Sequence, residues 1–255
     1  MELISHFFYA ISIRTFLIIA TSIGATASCE YFSIVGDMPT SLIGLAVVFP
    51  LVFSINASFQ RRDEALQQYG TINANLASLY FAHKSWIPPP KKIDGHGEEI
   101  MKLAISFLKI LKDDLTNEKS PPEMKSEIYN IFENFSKKNE IFLRENMLDT
   151  HATVSSWLNQ IMQSYEVLSN ISDYRTPKAL RAYSKVFLNL FPVIFAPYFA
   201  NLNQEISYMG YLVAFIYSVV LVMLSNIQDN VENPFDNKGL DDIDLDRENR
   251  INALN

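Results

Sequence analysis

The sequence predicts an all-α membrane protein, with four transmembrane helices and a helical bundle on the cytoplasmic side. Three observations predict it. Met38 to Gln60 carries no charge and is long enough to cross a bilayer, which takes about 20 apolar residues. Apolar residues concentrate toward both ends, while nearly all the charge lies in the middle and at the C-terminus. Only 8 glycines and 11 prolines interrupt the chain, and most of it follows helical spacing. The net charge of -7 speaks against a nucleic-acid partner, which requires a basic face. The single cysteine, Cys29, excludes an internal disulfide.

Met1 to Ala10 is mixed and fits a short interfacial segment. The first span, 11–29, is interrupted by Arg14 and rich in small residues, which suits close helix packing in lipid. Its rival is a cleaved signal ending at Cys29, against which stand the non-basic start and the second hydrophobic stretch that follows. Glu30 to Asp37 is a short link, so the first two spans form a hairpin. Pro39 suits the first turn of the second span, 38–60, and Pro50 lies inside it. This span runs directly into a polar helical sequence at Arg61. Within it, Leu45, Phe49 and Phe53 fall at i, i+4 and i+8 and share one face, which fits either a packing face or the wall of a pore.

Soluble helices fill 61–185. Ala65, Leu66, Tyr69, Ile72, Leu76, Leu79 and Tyr80 form the first apolar stripe, ended by Trp86-Ile-Pro-Pro-Pro-Lys-Lys. Asp94-Gly-His-Gly reads as a loop. A helix over Glu98 to Leu115 follows, then one opened by Ser120 as N-cap with prolines at 121 and 122. The last begins at Thr150 or His151 and carries Val154, Trp157, Leu158, Ile161, Met162, Tyr165 and Leu168 in one stripe. Arg175-Thr-Pro-Lys marks the return to the membrane. The third span is 186–204, with prolines at 192 and 197, and the fourth is 206–228; an acidic tail, 229–255, ends the chain.

Basic residues set the orientation. Arg14, Arg61, Arg62, Arg175, Lys178, Arg181 and Lys185 fall on one side of this four-span topology. The opposite turns offer only Glu30, Asp37 and Glu205. Both termini and the central helices are therefore expected in the cytoplasm. The Asn-X-Ser sequences at Asn56, Asn134 and Asn170 are then unavailable for glycans. A plasma (inner) membrane fits best, with an organelle membrane as the alternative.

At three places the chain resembles the bestrophin family of ion channels. In PTSLIGLAVVFPLVFSINASFQRRDEA the residues Pro39, Gly44, Phe53, Asn56, Arg61, Glu64 and Ala65, with Gly70 just beyond, fit the family pattern. Thr176-Pro177 precedes a basic helix and a span with Leu190-Phe-Pro192. VENPFDNKGLDDIDLD follows the last span, like the family's Asn-Pro-Phe-Gly motif with its acidic residues. Arg62 and Asp63 stand where the family usually has tryptophan, and Asp236 stands in place of its glycine. The resemblance implies a homopentamer in a lipid bilayer, with the second span of each subunit lining a central pore. Family neck residues align with Leu45, Phe49 and Phe53. Five copies would form three apolar rings, a constriction able to gate by dewetting. Aromatic edges carry the positive end of the ring quadrupole, which favours small anions, chloride first among them.

Glu232, Asp236, Asp241, Asp242, Asp244 and Asp246 are the densest carboxylates. Some animal members bind Ca2+ at the matching belt, and clustered Asp can supply calcium's six to eight oxygens. The alternatives are a solvated tail or a clasp between subunits. Arg61, Arg62, Asp63 and Glu64 read as membrane-edge anchors and intersubunit ion pairs. The histidines at 6, 83, 96 and 151 are scattered, without the spacing of a metal site. No nucleophile motif, phosphate loop or paired catalytic carboxylate supports an enzyme, and no cofactor is required. Two further functions remain: a cation-passing channel of the same fold, and a non-conducting membrane scaffold that docks a cytoplasmic partner.

Overall fold

The computed structural model describes residues 12–37, 40–87, 95–117, 121–174, 178–237, 239, 241–247 and 249–251; side chains at 40–48, 178, 180 and 184 lie outside the description. The expectations for residues 1–10, Pro39, Ser120, Arg175, Thr176 and Pro177, and for the side chains of Leu45 and Lys178, fall outside the described residues. Eight helices are described: α1 (Ile13–Tyr31), α2 (Thr40–Ser85), α3 (His96–Thr116), α4 (Pro122–Arg144), α5 (Leu148–Asp173), α6 (Lys178–Ile194), α7 (Ala196–Glu205) and α8 (Met209–Val231). No strand occurs among the described residues. The chain forms two units. One comprises Met1–Gln60 and Arg175–Glu232, the other Arg61–Tyr174 and Asn233–Asn255. The division falls inside α2, which is one unbroken helix of 46 residues despite Pro50.

The first unit packs α1, α6, α7, α8 and the start of α2. Its core gathers Leu51, Leu188, Phe191, Phe195, Phe199, Ala214 and Leu221. Helix α1 buries Thr15, Ile18, Ser22 and Thr26, a stripe of mostly small residues that allows close approach. The Arg14 guanidinium, which interrupts the first span in sequence, donates to Asn189 Oδ1 through Nη2 at 2.6 Å and Nε at 3.2 Å. At its other end the unit ties Glu30 to Asn203 and Tyr211, which donate to Glu30 Oε2 at 3.0 and 2.6 Å. Helix α8 approaches α7 so closely that Gly210 donates its N–H to Asn203 Oδ1 at 2.8 Å.

The expected span over 186–204 lies inside one apolar stretch, but its helix is interrupted. Helix α6 ends at Ile194 and α7 begins at Ala196, with Phe195 between them. Pro192 and Pro197 each lack the N–H that a continuous helix needs, and the break lies between them. An aromatic file bridges it. Ring centroids of Tyr183, Phe187, Phe191, Phe195 and Phe199 are separated in turn by 4.4, 6.1, 5.2 and 6.2 Å. Among the described residues, two stretches are long and apolar enough to cross a membrane: Arg181–Glu205 and Met209–Val231.

The second unit is a helical bundle of α2 from Arg61 onward with α3, α4 and α5. The predicted stripe on α2 is buried at Ala65, Tyr69, Ile72, Leu76, Leu79 and Tyr80, but Leu66 is 38% exposed. Two boundaries differ from expectation. Helix α3 starts at His96, inside the stretch expected as a loop, rather than at Glu98, and α5 starts at Leu148 rather than Thr150 or His151; α4 has Pro121 at its N-cap.

The tail is also corrected. Residues after Asn233 do not simply carry charge, because Phe235, Ile243, Leu245 and Ile251 are buried in the bundle's core. Tyr69 donates its hydroxyl to Leu245 O at 2.9 Å, and Arg250 N donates to Asn73 Oδ1 at 3.2 Å. The acidic residues alternate with apolar ones, so one set faces water while the other enters the core.

The scattered histidines prove to be partly gathered. The rings of His83 and His96 meet at 55° with centroids 4.8 Å apart, and His83 also lies 4.8 Å from Phe142. His83 Nε2 meets Asn139 Oδ1 at 2.9 Å, while Nδ1 has no hydrogen-bond partner among the described residues. Burial, opposed by the Asn139 contact and assisted by His96 and Lys138, lowers His83 from 6.5 to about 4. The unfolded chain therefore binds more protons than the fold between these values. The stabilising effect is complete above 6.5 and is lost as pH falls toward 4, with a slope of at most about 1.4 kcal/mol per pH unit. Unfolding in detergent should thus begin at lower temperature at pH 5 than at pH 7. His83→Gln should reduce that difference; an equal difference in the variant would remove His83 as its source.

Candidate pore-lining face

From Phe49 to Gln60, helix α2 sorts its residues by face. Leu51, Ser54 and Ser58 are buried and Ile55 packs against the first unit's core. The polar members of this inner face are satisfied within the chain. Gln228 Nε2 donates to Ser54 Oγ at 2.7 Å, and Ser58 Oγ donates to Ser54 O at 3.1 Å. The opposite face is open. Phe49 and Phe53 are 51% and 64% exposed, and their rings lie 5.9 Å apart at 37°. That spacing equals the rise of four helical residues, about 6 Å.

Asn56 and Gln60 are exposed as well. At about 100° per residue, Phe49, Phe53, Asn56 and Gln60 fall within roughly 60° of arc, so they form one file. Neither amide has a hydrogen-bond partner among the described residues. The sequence pattern picked out the aromatic half of this file. It carried the amides as well, at i+3 and i+7 from Phe53, but only the burial of the opposite face marks them as part of an open stripe.

Within the chain, the charged residues after Gln60 reach separate partners. Arg61 donates through Nη2 to Ile171 O at 2.8 Å and to Tyr174 O, capping carbonyls at the end of α5. Arg62 Nε donates to Asp241 O at 2.5 Å, and its Nη1 lies 3.3 Å from Asp63 Oδ1. Asp63 and Glu64 are exposed. The reason is local. Two arginines on consecutive helical positions point about 100° apart and reach different segments.

The acidic set is likewise dispersed. Glu232 is buried in the first unit and pairs with Arg181 at 2.7 Å. In the second unit, Asp242 Oδ2 accepts Gly239 N at 3.1 Å. Asp244 Oδ1 accepts Asp246 N and Arg247 N, both at 3.1 Å, and Asp246 pairs with Lys112 at 2.5 Å. Asp236 is half-buried and Asp241 exposed. Among the described residues no group of three or more His, Cys, Asp or Glu side chains could hold a metal ion. Glu232, Asp242, Asp244 and Asp246 thus serve as turn or ion-pair partners within the chain.

Two apolar stretches long enough to span a bilayer fit a helical membrane protein. A family model described as bacterial and fungal bestrophin proteins matches residues 3–187. The chain belongs to the bestrophin family, a family of channels rather than enzymes. Its fold is shared by crystal structures of a bacterial bestrophin homolog from Klebsiella pneumoniae. Two point variants of that homolog are 19% and 20% identical, with TM-scores of 0.77 and 0.76, and 94% of each chain is covered. A crystal structure described as a membrane protein is 21% identical with a TM-score of 0.78, again with 94% of each chain covered. Comparison with curated proteins finds no match.

Proposed function

We propose that the protein is a homopentameric bestrophin channel that passes small anions, chloride among them, by passive diffusion. In this reading α2 of each subunit lines the pore. Leu45, Phe49 and Phe53 form its neck as three apolar rings, and the aromatic edges favour anions. The chain crosses the membrane four times, at α1, the first half of α2, α6 with α7, and α8. Both termini and the bundle of α2 to α5 lie in the cytoplasm, and the membrane is the plasma (inner) membrane.

One observation carries the assignment of α2 to the pore. The exposed residues of α8 are Leu212, Phe215, Ile216 and Val220, all apolar, as a lipid-facing surface requires. The open side of α2 instead adds the unpartnered amides of Asn56 and Gln60 to the exposed apolar residues Phe49, Val52, Phe53 and Phe59. An unpaired amide is costly in hydrocarbon and tolerated beside water.

The test is halide flux into liposomes holding the purified protein, with the protein's mass measured in detergent. Flux together with a five-fold mass supports the channel, and replacing chloride by other ions then sets selectivity. A five-fold mass without flux would favour the scaffold. Phe49→Ala and Phe53→Ala should each raise flux or relax selectivity several-fold while the oligomer persists, because a wider ring no longer excludes water. Unchanged permeability in both variants would remove the neck assignment.

A further inference from the structure

We infer that Asn56 and Gln60 are specificity-determining residues of the pore: two amide rings that bind the anion as it leaves the aromatic neck with part of its water shell removed. This rests on the channel reading above and adds a ligand set to it. The two side chains lie on the file of Phe49 and Phe53, about 4.5 and 10.5 Å beyond Phe53 along the helix. Their N–H donors have no acceptor among the described residues, whereas Ser54 and Ser58 on the opposite face are satisfied inside the chain. The polar residues of this segment are thus divided by role. Those facing inward hold the helix in place, and those facing outward keep their donors open.

The chemistry matches the step. An anion squeezed between apolar rings loses water it must regain, and a ring of neutral donors replaces that water without a fixed charge that would trap it. The amide also offers an oxygen, so anion preference depends on the N–H end being turned to the ion. A carboxylate at the same position cannot do this, since it only accepts.

The experiment compares relative permeabilities to chloride, iodide and potassium in liposomes holding the full chain, as wild type and as Asn56→Leu, Gln60→Leu, Asn56→Asp and Asn56→Gln. Losing a donor to a charged ligand should shift the ratio of chloride to the more weakly hydrated iodide by about tenfold in the Leu variants. Asn56→Asp should suppress chloride flux and raise potassium flux. Asn56→Gln, which keeps the amide, should stay near wild type. If a Leu variant fails to assemble, the contrast between the Gln and Asp variants carries the test. Wild-type ion ratios in all assembled variants would overturn the inference while leaving the channel reading intact. A wild-type protein that passes no ion would overturn the channel reading and this inference with it.

Discussion

Gly210→Ala should cost on the order of 4 kcal/mol or more, the range reserved for substitutions that break a specific piece of packing. A Cβ at position 210 would overlap the backbone carbonyl oxygen of Phe199 and stand 2.8 Å from Asn203 Oδ1. The Phe199 carbonyl belongs to α7 and cannot move like the end of a flexible side chain. Helices α7 and α8 would have to separate, and the Gly210 N–H bond to Asn203 would be lost with them. Intrinsic propensity predicts the opposite sign, since alanine in a helix is favoured over glycine by about 1 kcal/mol. Thermal unfolding in detergent decides between them. A melting temperature at or above wild type would show that the close approach of α7 and α8 is not required. Asn203→Leu removes this acceptor, together with the donor to Glu30, without the overlap, and its loss should be smaller, about 1–2 kcal/mol.

Phe235→Ala should be the most damaging change in the C-terminal segment, at about 3–5 kcal/mol. The Phe235 side chain is fully buried in the core of the helical bundle, with Ile243, Leu245 and Ile251 buried further along the same segment. Losing it removes an aromatic from a core that α2, α3, α4 and α5 cannot refill without moving. It also loosens the turn in which Ile243 N donates to Pro234 O at 2.8 Å. Denaturant unfolding of the purified protein measures the effect. Asp241→Asn, at an exposed neighbouring carboxylate, should change stability by less than about 0.5 kcal/mol. Equal effects from the two would mean that the segment acts through its charge and not through its apolar residues.

Much of the architecture was legible because it rests on local periodicity. The stripe from Ala65 to Tyr80 and that from Val154 to Leu168 each repeat at helical spacing, and the helices occupy those positions. The polar half of α2 continues its apolar half without a breaker, and one helix results. The two prolines at 192 and 197 signalled a disturbance but not its form. Each is tolerated alone in a membrane helix, and only the local backbone shows a break at Phe195.

What the sequence by itself determined is the helical class, the apolar and polar segments, and the aromatic file on α2, because these depend on spacing along one element. What only the tertiary structure decided depends on residues far apart in the chain. The acidic residues after Val231 read as one cluster in sequence, yet Glu232 pairs with Arg181 and Asp246 with Lys112, partners that charge density does not reveal. Likewise His83 and His96 meet because two helices pack, not because of any spacing between them. Asn56 and Gln60 became candidates for ion binding only when the opposite face of α2 was seen to be buried. Burial is a property of neighbours, and neighbours are set by packing.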